Sequence, residues 1–224
     1  MRNKKFLCVV LFNVFFTSAF SQLPTGFVYV NDVIPDLDVE LHYHTSNNFV
    51  GKPIDGYYSN KLILTIEAAN ALKQVHEALQ QYNLCLKIYD GYRPQQAVNH
   101  FKKWARDLND TINKHIFYPN IKKRNLFKEG YIASKSSHSR GSTVDVTIID
   151  ANTGEALNMG SKYDFFGKPS WVAHDGITEQ EKANRVLLQN IMKQYGFRNY
   201  PKEWWHFTLR NEPFPNTYFN FPVK

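Results

Sequence analysis

The sequence predicts an α+β protein: a single domain with a mainly antiparallel sheet and flanking helices. Strand-like and helix-like segments are mixed along the chain without the regular alternation of a βαβ fold, and no repeat, linker or low-complexity stretch divides it. At 224 residues, 43% hydrophobic and 21% charged, the chain has material for one well-filled core.

The opening "MRNKKFLCVVLFNVFFTSAFSQ" has basic residues at Arg2, Lys4 and Lys5, an apolar run from Phe6 to Phe16, and small residues around Ala19 and Ser21. That is the pattern of a secretory signal peptide cut after Ser21, leaving residues 22–224 as the functional domain. A retained membrane anchor is the competing reading, but Asn13 interrupts the run, which falls short of the roughly 20 apolar residues a spanning helix needs. The expected product is exported, periplasmic or secreted, with no stable membrane insertion. Cleavage would leave Cys85 as the only thiol, so the core must hold the fold without an internal disulfide. It would also remove three basic and no acidic side chains, taking the formal charge from +7 to +4. That excess is mild and scattered, and gives little support to a nucleic-acid partner. No oligomeric state is assigned.

The stretch from Phe27 to Tyr58 mixes β-prone runs with Pro, Gly and Asn, which predicts two short strands and a long ordered loop. From Thr65, Ala68, Leu72, Val75 and Leu79 recur at helical spacing to about Tyr82, and the pattern breaks at Asn83. In "LCLKIYDGY", Leu84, Leu86 and Ile88 alternate as a strand. Pro94 suits a helix start, and Val98, Phe101, Trp104 and Leu108 form the apolar side of the helix that follows. Arg93 is thereby placed at a strand-to-helix junction. Residues 109–135 read as a long basic and aromatic loop with one short helix, and "STVDVTIID" as a strand. "GSKYDFFGKPSWVAHDGI" is loop-like. The next helix opens on a capping box of Thr178 and Glu181, carries Leu187, Leu188, Ile191 and Tyr195, and stops at Gly196. "EWWHFTLR" is the final strand.

The chemistry concentrates at both ends of the second half. His138 and Asp145 are seven residues apart around Gly141, where a tight turn brings the histidine back beside the strand that carries the aspartate. His206 follows Glu203 by three residues in "EWWHF", an arrangement suited to a metal and a general base sharing one water. Two histidines and one carboxylate leave an open coordination position. Each motif alone is weak, although Asp145 inside the apolar run "VDVTII" demands a cation or several hydrogen bonds. The other histidines lack comparable spacing. His76 reads as a surface residue, and His42 with His44 only in principle as a second metal pair.

Together, "YDGYRPQQAV", "SSHSRGSTVDVT", "MGSKYDFFG" and "EWWHF" resemble the zinc D-alanyl-D-alanine dipeptidases, the enzyme type known from vancomycin resistance. The wider group of D-Ala-D-Ala peptidases shares its fold with the Hedgehog signalling domain. The match runs in order from about Tyr43 to "PFPNTYFNFP". It implies His138, Asp145 and His206 as ligands of one zinc ion per chain, Glu203 as catalytic base and Arg93 as the group that stabilises the transition state. It further implies Asp164 as the holder of the substrate's free ammonium, with Ser136 and Tyr43 as neighbouring substrate contacts. The implied substrate is the small molecule D-Ala-D-Ala, and the implied setting is cell-wall turnover. Two alternatives stand beside this: a D,D-carboxypeptidase or endopeptidase acting on peptidoglycan stems, and a catalytically silent zinc-binding module. For Arg93, a structural ion pair with Asp90 is the competing role.

Overall fold

The computed structural model describes residues 23–224, so the signal peptide expected over residues 1–21 lies outside the described residues. In chain order the elements are β1 (Phe27–Tyr29), β2 (Asp38–Val39), β3 (Ile63–Thr65), α1 (Ile66–Gln80), β4 (Leu84–Asp90), α2 (Gln95–Arg106) and α3 (Lys114–Phe117). They continue with β5 (Thr143–Asp150), α4 (Glu179–Gln194), β6 (Phe197–Tyr200) and β7 (Glu203–Leu209). Five strands form the main sheet in the order β2-β4-β5-β7-β6, and β1 pairs with β3 in a small second sheet. Every pairing is antiparallel except β2 with β4. The α+β expectation therefore holds, with four helices packed around a mainly antiparallel sheet.

Helix α1 forms where the sequence places a cap and a stripe. The Thr65 hydroxyl accepts the Ala68 N–H, and Ala68, Leu72, Val75 and Leu79 are buried. That face packs on β4, where Leu86 and Ile88 are also buried. Each such aliphatic side chain taken out of water contributes about 1.5–3 kcal/mol. His76 belongs to the same face, contrary to its reading as a surface residue. Its Nδ1 accepts the Leu86 N–H at 3.4 Å and its Nε2 faces Asp36, so the ring bridges helix to sheet. The capping box at Thr178 and Glu181 is present in α4, whose buried face is Leu188, Ile191 and Met192 rather than Leu187, which is 36% exposed.

Other boundaries also differ from expectation. Helix α2 ends at Arg106, leaving Leu108 in the turn beyond it and 53% exposed. Strands β3 and β6 were not anticipated: each is short, with no room for a period-2 pattern to show.

After β7 the chain returns across the molecule. Phe214, Phe219 and Phe221 surround the Phe27 ring, and Phe221 stacks on Tyr92 with centroids 4.0 Å apart. The Phe219 N–H donates to the Ser139 carbonyl and the Gln95 N–H to the Phe219 carbonyl, while Val223 bridges to Tyr57. Among the described residues, no helix is long and apolar enough to cross a membrane.

Candidate active site

Three adjacent strands build the floor of the site. Asp145 on β5 lies opposite Asp90 on β4 and opposite His206 on β7. Cross-strand partners point to one face, so the three polar side chains form a row. The β4 contribution depends on an irregularity: Ile88 pairs with Val146 and Asp90 with the next β5 residue, Asp145, so two β4 steps match one on β5. This bulge turns Asp90 away from the core face of Leu86 and Ile88 and onto that of Asp145. A second register shift, from Asn199 opposite Phe207 to Tyr200 opposite Glu203, lets Glu203 share a face with His206 despite their odd spacing. Glu203 Oε2 lies 3.4 Å from His206 Nδ1.

His138 arrives from a single 3-10 turn, Ser137–Arg140, just before β5. Ser136 caps the turn through its hydroxyl, and Gly141 ends it at φ +84, where a Cβ would lie 2.2 Å from the Phe27 ring. Only glycine adopts that conformation in that space without strain. The expected swing of His138 back beside Asp145 is thus what the turn produces.

The three ligand atoms converge. His138 Nε2 is 3.3 Å from His206 Nδ1 and 3.3 Å from Asp145 Oδ1, and His206 Nδ1 is 3.2 Å from the same oxygen. A tetrahedron with arms of about 2.0–2.1 Å has edges of about 3.3–3.4 Å, so these separations fit one small cation bound by all three. The opposite ring nitrogens are already engaged: His138 Nδ1 donates to the Gly91 carbonyl at 2.8 Å, and His206 Nε2 meets the Ser137 hydroxyl at 3.2 Å. Donation to a carbonyl leaves the inward nitrogen of His138 with a free lone pair, and the Ser137 oxygen offers an acceptor for the outer proton of His206, the arrangement metal ligation requires. Asp145 Oδ1 is buried and has no hydrogen-bond partner, which makes it a ligand atom in want of a cation. Burial alone would raise the Asp145 carboxyl, but His138 and His206 outweigh it and hold the group far below the usual carboxylate range. The donor set suits zinc or a similar divalent ion. His42 and His44 take no part, since His42 pairs with Glu40 at 3.3 Å and His44 faces the Tyr57 carbonyl.

Arg93 is both anchored and placed at the site. Its Nε and Nη2 fork onto Asp90 Oδ2 at 2.9 and 2.8 Å, its guanidinium lies over the Tyr43 ring at 4.9 Å, and Nη2 is 3.6 Å from Asp145 Oδ2. The Asp90 pair and the position beside the metal ligands coexist, and Tyr57 completes the anchor by donating to Asp90 Oδ1.

Asp164 sits at φ +58, an unusual backbone for an aspartate, in the loop before α4. Burial, reinforced by the Asp145 charge, pushes its carboxyl well above the usual range, although the Tyr43 hydroxyl donates to it at 2.8 Å. Burial also raises the Glu203 carboxyl, against the opposing pull of His206. All eight residues expected at the site, Tyr43, Arg93, Ser136, His138, Asp145, Asp164, Glu203 and His206, line one cavity of about 390 Å³. That is the size of a small-molecule pocket. Ser136 serves within the protein as a turn cap, and Tyr43 as the partner of Asp164. Sequence reasoning overlooked Ser137 and Tyr163; both neighbour singled-out residues, but no spacing rule marks a side chain whose role is to hold another.

A two-histidine, one-aspartate cluster, with His138 and Asp145 buried and His206 partly open to the cavity, has a carboxylate at its edge and a guanidinium beside it, and defines a metallopeptidase-type centre. Residues 24–224 match the family model described as D-ala-D-ala dipeptidase, and the chain belongs to that family. The chain is 43% identical over 199 residues to the D-alanyl-D-alanine dipeptidase of Enterococcus faecium, covering 89% of this chain and 98% of that one. It is 44% identical over 204 residues to the Enterococcus faecalis enzyme of the same name, covering 90% and 100%. The Escherichia coli dipeptidase is 32% identical over 177 residues, covering 79% and 81%. Among solved structures, a zinc-bound vancomycin-resistance D,D-pentapeptidase VanY overlays 69% of this chain and 77% of its own, at 16% identity and a TM-score of 0.42.

Proposed function

We propose that this protein hydrolyses the free dipeptide D-Ala-D-Ala to two D-alanines, with His138, Asp145 and His206 holding one zinc ion. The observation that carries the reading is the sharing of one cavity by the three-ligand cluster, Glu203, Arg93 and the buried Asp164. Bound zinc supplies Lewis acidity to the oxygen atoms that share its site. Glu203, with a carboxyl raised by burial, takes a proton from the attacking water and returns it to the departing amine. Without that return the leaving group would be an amide anion, far too basic to depart. Arg93, preorganised by Asp90, stabilises the negative charge that develops on the carbonyl oxygen.

Asp164 supports the preference for a free dipeptide. An unpaired carboxylate in its buried surroundings is costly, and the substrate's ammonium supplies the missing counter-charge. A longer peptidoglycan stem presents a neutral amide at that point and leaves the carboxylate unpaired. The basic and apolar pattern of residues 1–21 supports export, which would place the activity where wall fragments are released. Mass measurement of the exported protein's N-terminus tests that part directly.

The deciding assay offers the zinc-loaded protein D-Ala-D-Ala, L-Ala-L-Ala and a pentapeptide ending in D-Ala-D-Ala. Chelator-sensitive release of D-alanine from the free D,D-dipeptide alone is expected. Comparable cleavage of the pentapeptide would move the protein to the carboxypeptidases, and silence on all three with zinc bound would leave a binding module.

A further inference from the structure

We propose that the Tyr163 hydroxyl is a positioning group that fixes Asp145 as a one-oxygen metal ligand. The inference rests on the metal-site reading above. The two oxygens of Asp145 have different surroundings. Oδ1 faces His138 Nε2 and His206 Nδ1 and has no hydrogen-bond partner, whereas Oδ2 accepts a hydrogen bond from the Tyr163 hydroxyl at 3.0 Å. Arg93 Nη2 approaches the same Oδ2 at 3.6 Å. With Oδ2 held from the side away from the histidines, rotation of the carboxylate to present both oxygens to a cation would break that hydrogen bond.

The tyrosine itself has little freedom. Its ring stacks on Tyr89 with centroids 4.7 Å apart, meets His42 edge-on at 5.1 Å and Trp205 at 5.4 Å, and the residue is 5% exposed. Its oxygen also lies 3.3 Å from the Tyr43 oxygen, and Tyr43 directs its own proton to Asp164 Oδ2. Of the two acceptors facing it, the Asp145 carboxylate oxygen at 3.0 Å is nearer and carries charge, so the single Tyr163 proton serves Asp145. Asp145 and Tyr163 are thus hydrogen-bonded, as are Asp164 and Tyr43, and the two pairs meet at the tyrosine oxygens within a buried aromatic layer. Partners of this kind orient a metal's ligands, and their loss typically costs 10–100-fold in metal affinity.

The test is Tyr163→Phe, which removes one oxygen and keeps the ring and its stacking. Zinc affinity of the full chain is measured by competition with a chromophoric chelator, and the visible spectrum is recorded with cobalt in place of zinc. Thermal melting of the metal-free protein is followed in parallel. Expected are zinc binding about 10–100-fold weaker than the parent's, a changed cobalt spectrum as the freed carboxylate brings its second oxygen to the metal, and a melting temperature close to the parent's. Tyr89→Phe, which alters the stacking partner and not the hydrogen bond, is expected to bind zinc as the parent does. An affinity for Tyr163→Phe within about threefold of the parent's, outside the range such partners command, overturns the inference, as does an unchanged cobalt spectrum. If Tyr163→Phe proves too unstable to purify, His42→Gln, which disturbs the packing of the same ring with its hydroxyl intact, is the structural control: parental zinc affinity is expected there, and a loss of about 10-fold or more overturns the inference. His138→Ala separates the two readings, because undiminished zinc binding there would show that the metal site itself is misassigned.

Discussion

Glu203 and Asp164 are both carboxyls raised by burial, yet their expected behaviour on substitution differs because they meet different partners. Glu203 lies 3.4 Å from His206 Nδ1, within reach of a water that would sit beside a cation held by the three ligands, so Glu203→Ala should cut turnover about 10²–10⁴-fold. Zinc content, read by elemental analysis, should match the parent's, and substantial residual turnover would show that another group is the base. Asp164 makes a pH prediction. A carboxyl raised on folding favours the native state below its ordinary value near 3.9 and costs stability as pH climbs from there through the raised value. Asp164→Asn keeps an acceptor for the Tyr43 hydroxyl but carries no charge to bury. The metal-free variant should therefore melt above the parent at pH 7, with the gain shrinking as pH falls toward about 4, while hydrolysis of the free dipeptide is lost. A lower melting temperature at pH 7 would mean that the Asp164 charge is better compensated than its surroundings indicate.

At the level of the element, the decisive pieces are two register irregularities and one turn. Gly141 ends the turn that delivers His138, and any Cβ there meets the Phe27 ring, which Tyr92, Phe214, Phe219 and Phe221 hold from all sides. Gly141→Ala should cost about 2–4 kcal/mol, from left-handed backbone strain together with overpacking. It should also weaken zinc binding, as denaturant melts and chelator competition would measure. The turn was legible because a glycine between a histidine and a β-branched run is a local signal. The same holds for α1 and for the capping box of α4, each of which is written in residues three or four apart. The bulge at the end of β4 was not legible: strict alternation from Leu84 through Ile88 would leave Asp90 on the core face, and only pairing with β5 turns it to Asp145. For the same reason Arg93 could be seen as a catalytic candidate or as a partner of Asp90, but not as both. Tyr163 carried no signal, since its role depends on an oxygen of Asp145 that only the folded sheet brings within reach.

For the molecule as a whole, metal and fold are coupled. The protein gathers two histidines and an aspartate whose mutual geometry is complete only with a cation between them, so zinc should bind the native chain and stabilise it. At a free zinc concentration 100 times the dissociation constant the gain is about 2.7 kcal/mol. For a chain of this length that is a rise of roughly 5–11 °C in melting temperature, reversed by chelator. A zinc-independent melting temperature would contradict the site. The site also joins parts of the sequence far from one another. His138 and Asp145 precede α4, Glu203 and His206 follow it, and the returning segment that locks Phe27 and reaches the carbonyl of Ser139 comes later still. A copy made only as far as α4 therefore holds two ligands and no base. Hydrolytic competence thus requires the chain through β7, which sets the third ligand and the base beside β5, and the aromatic strap that follows covers the first strand.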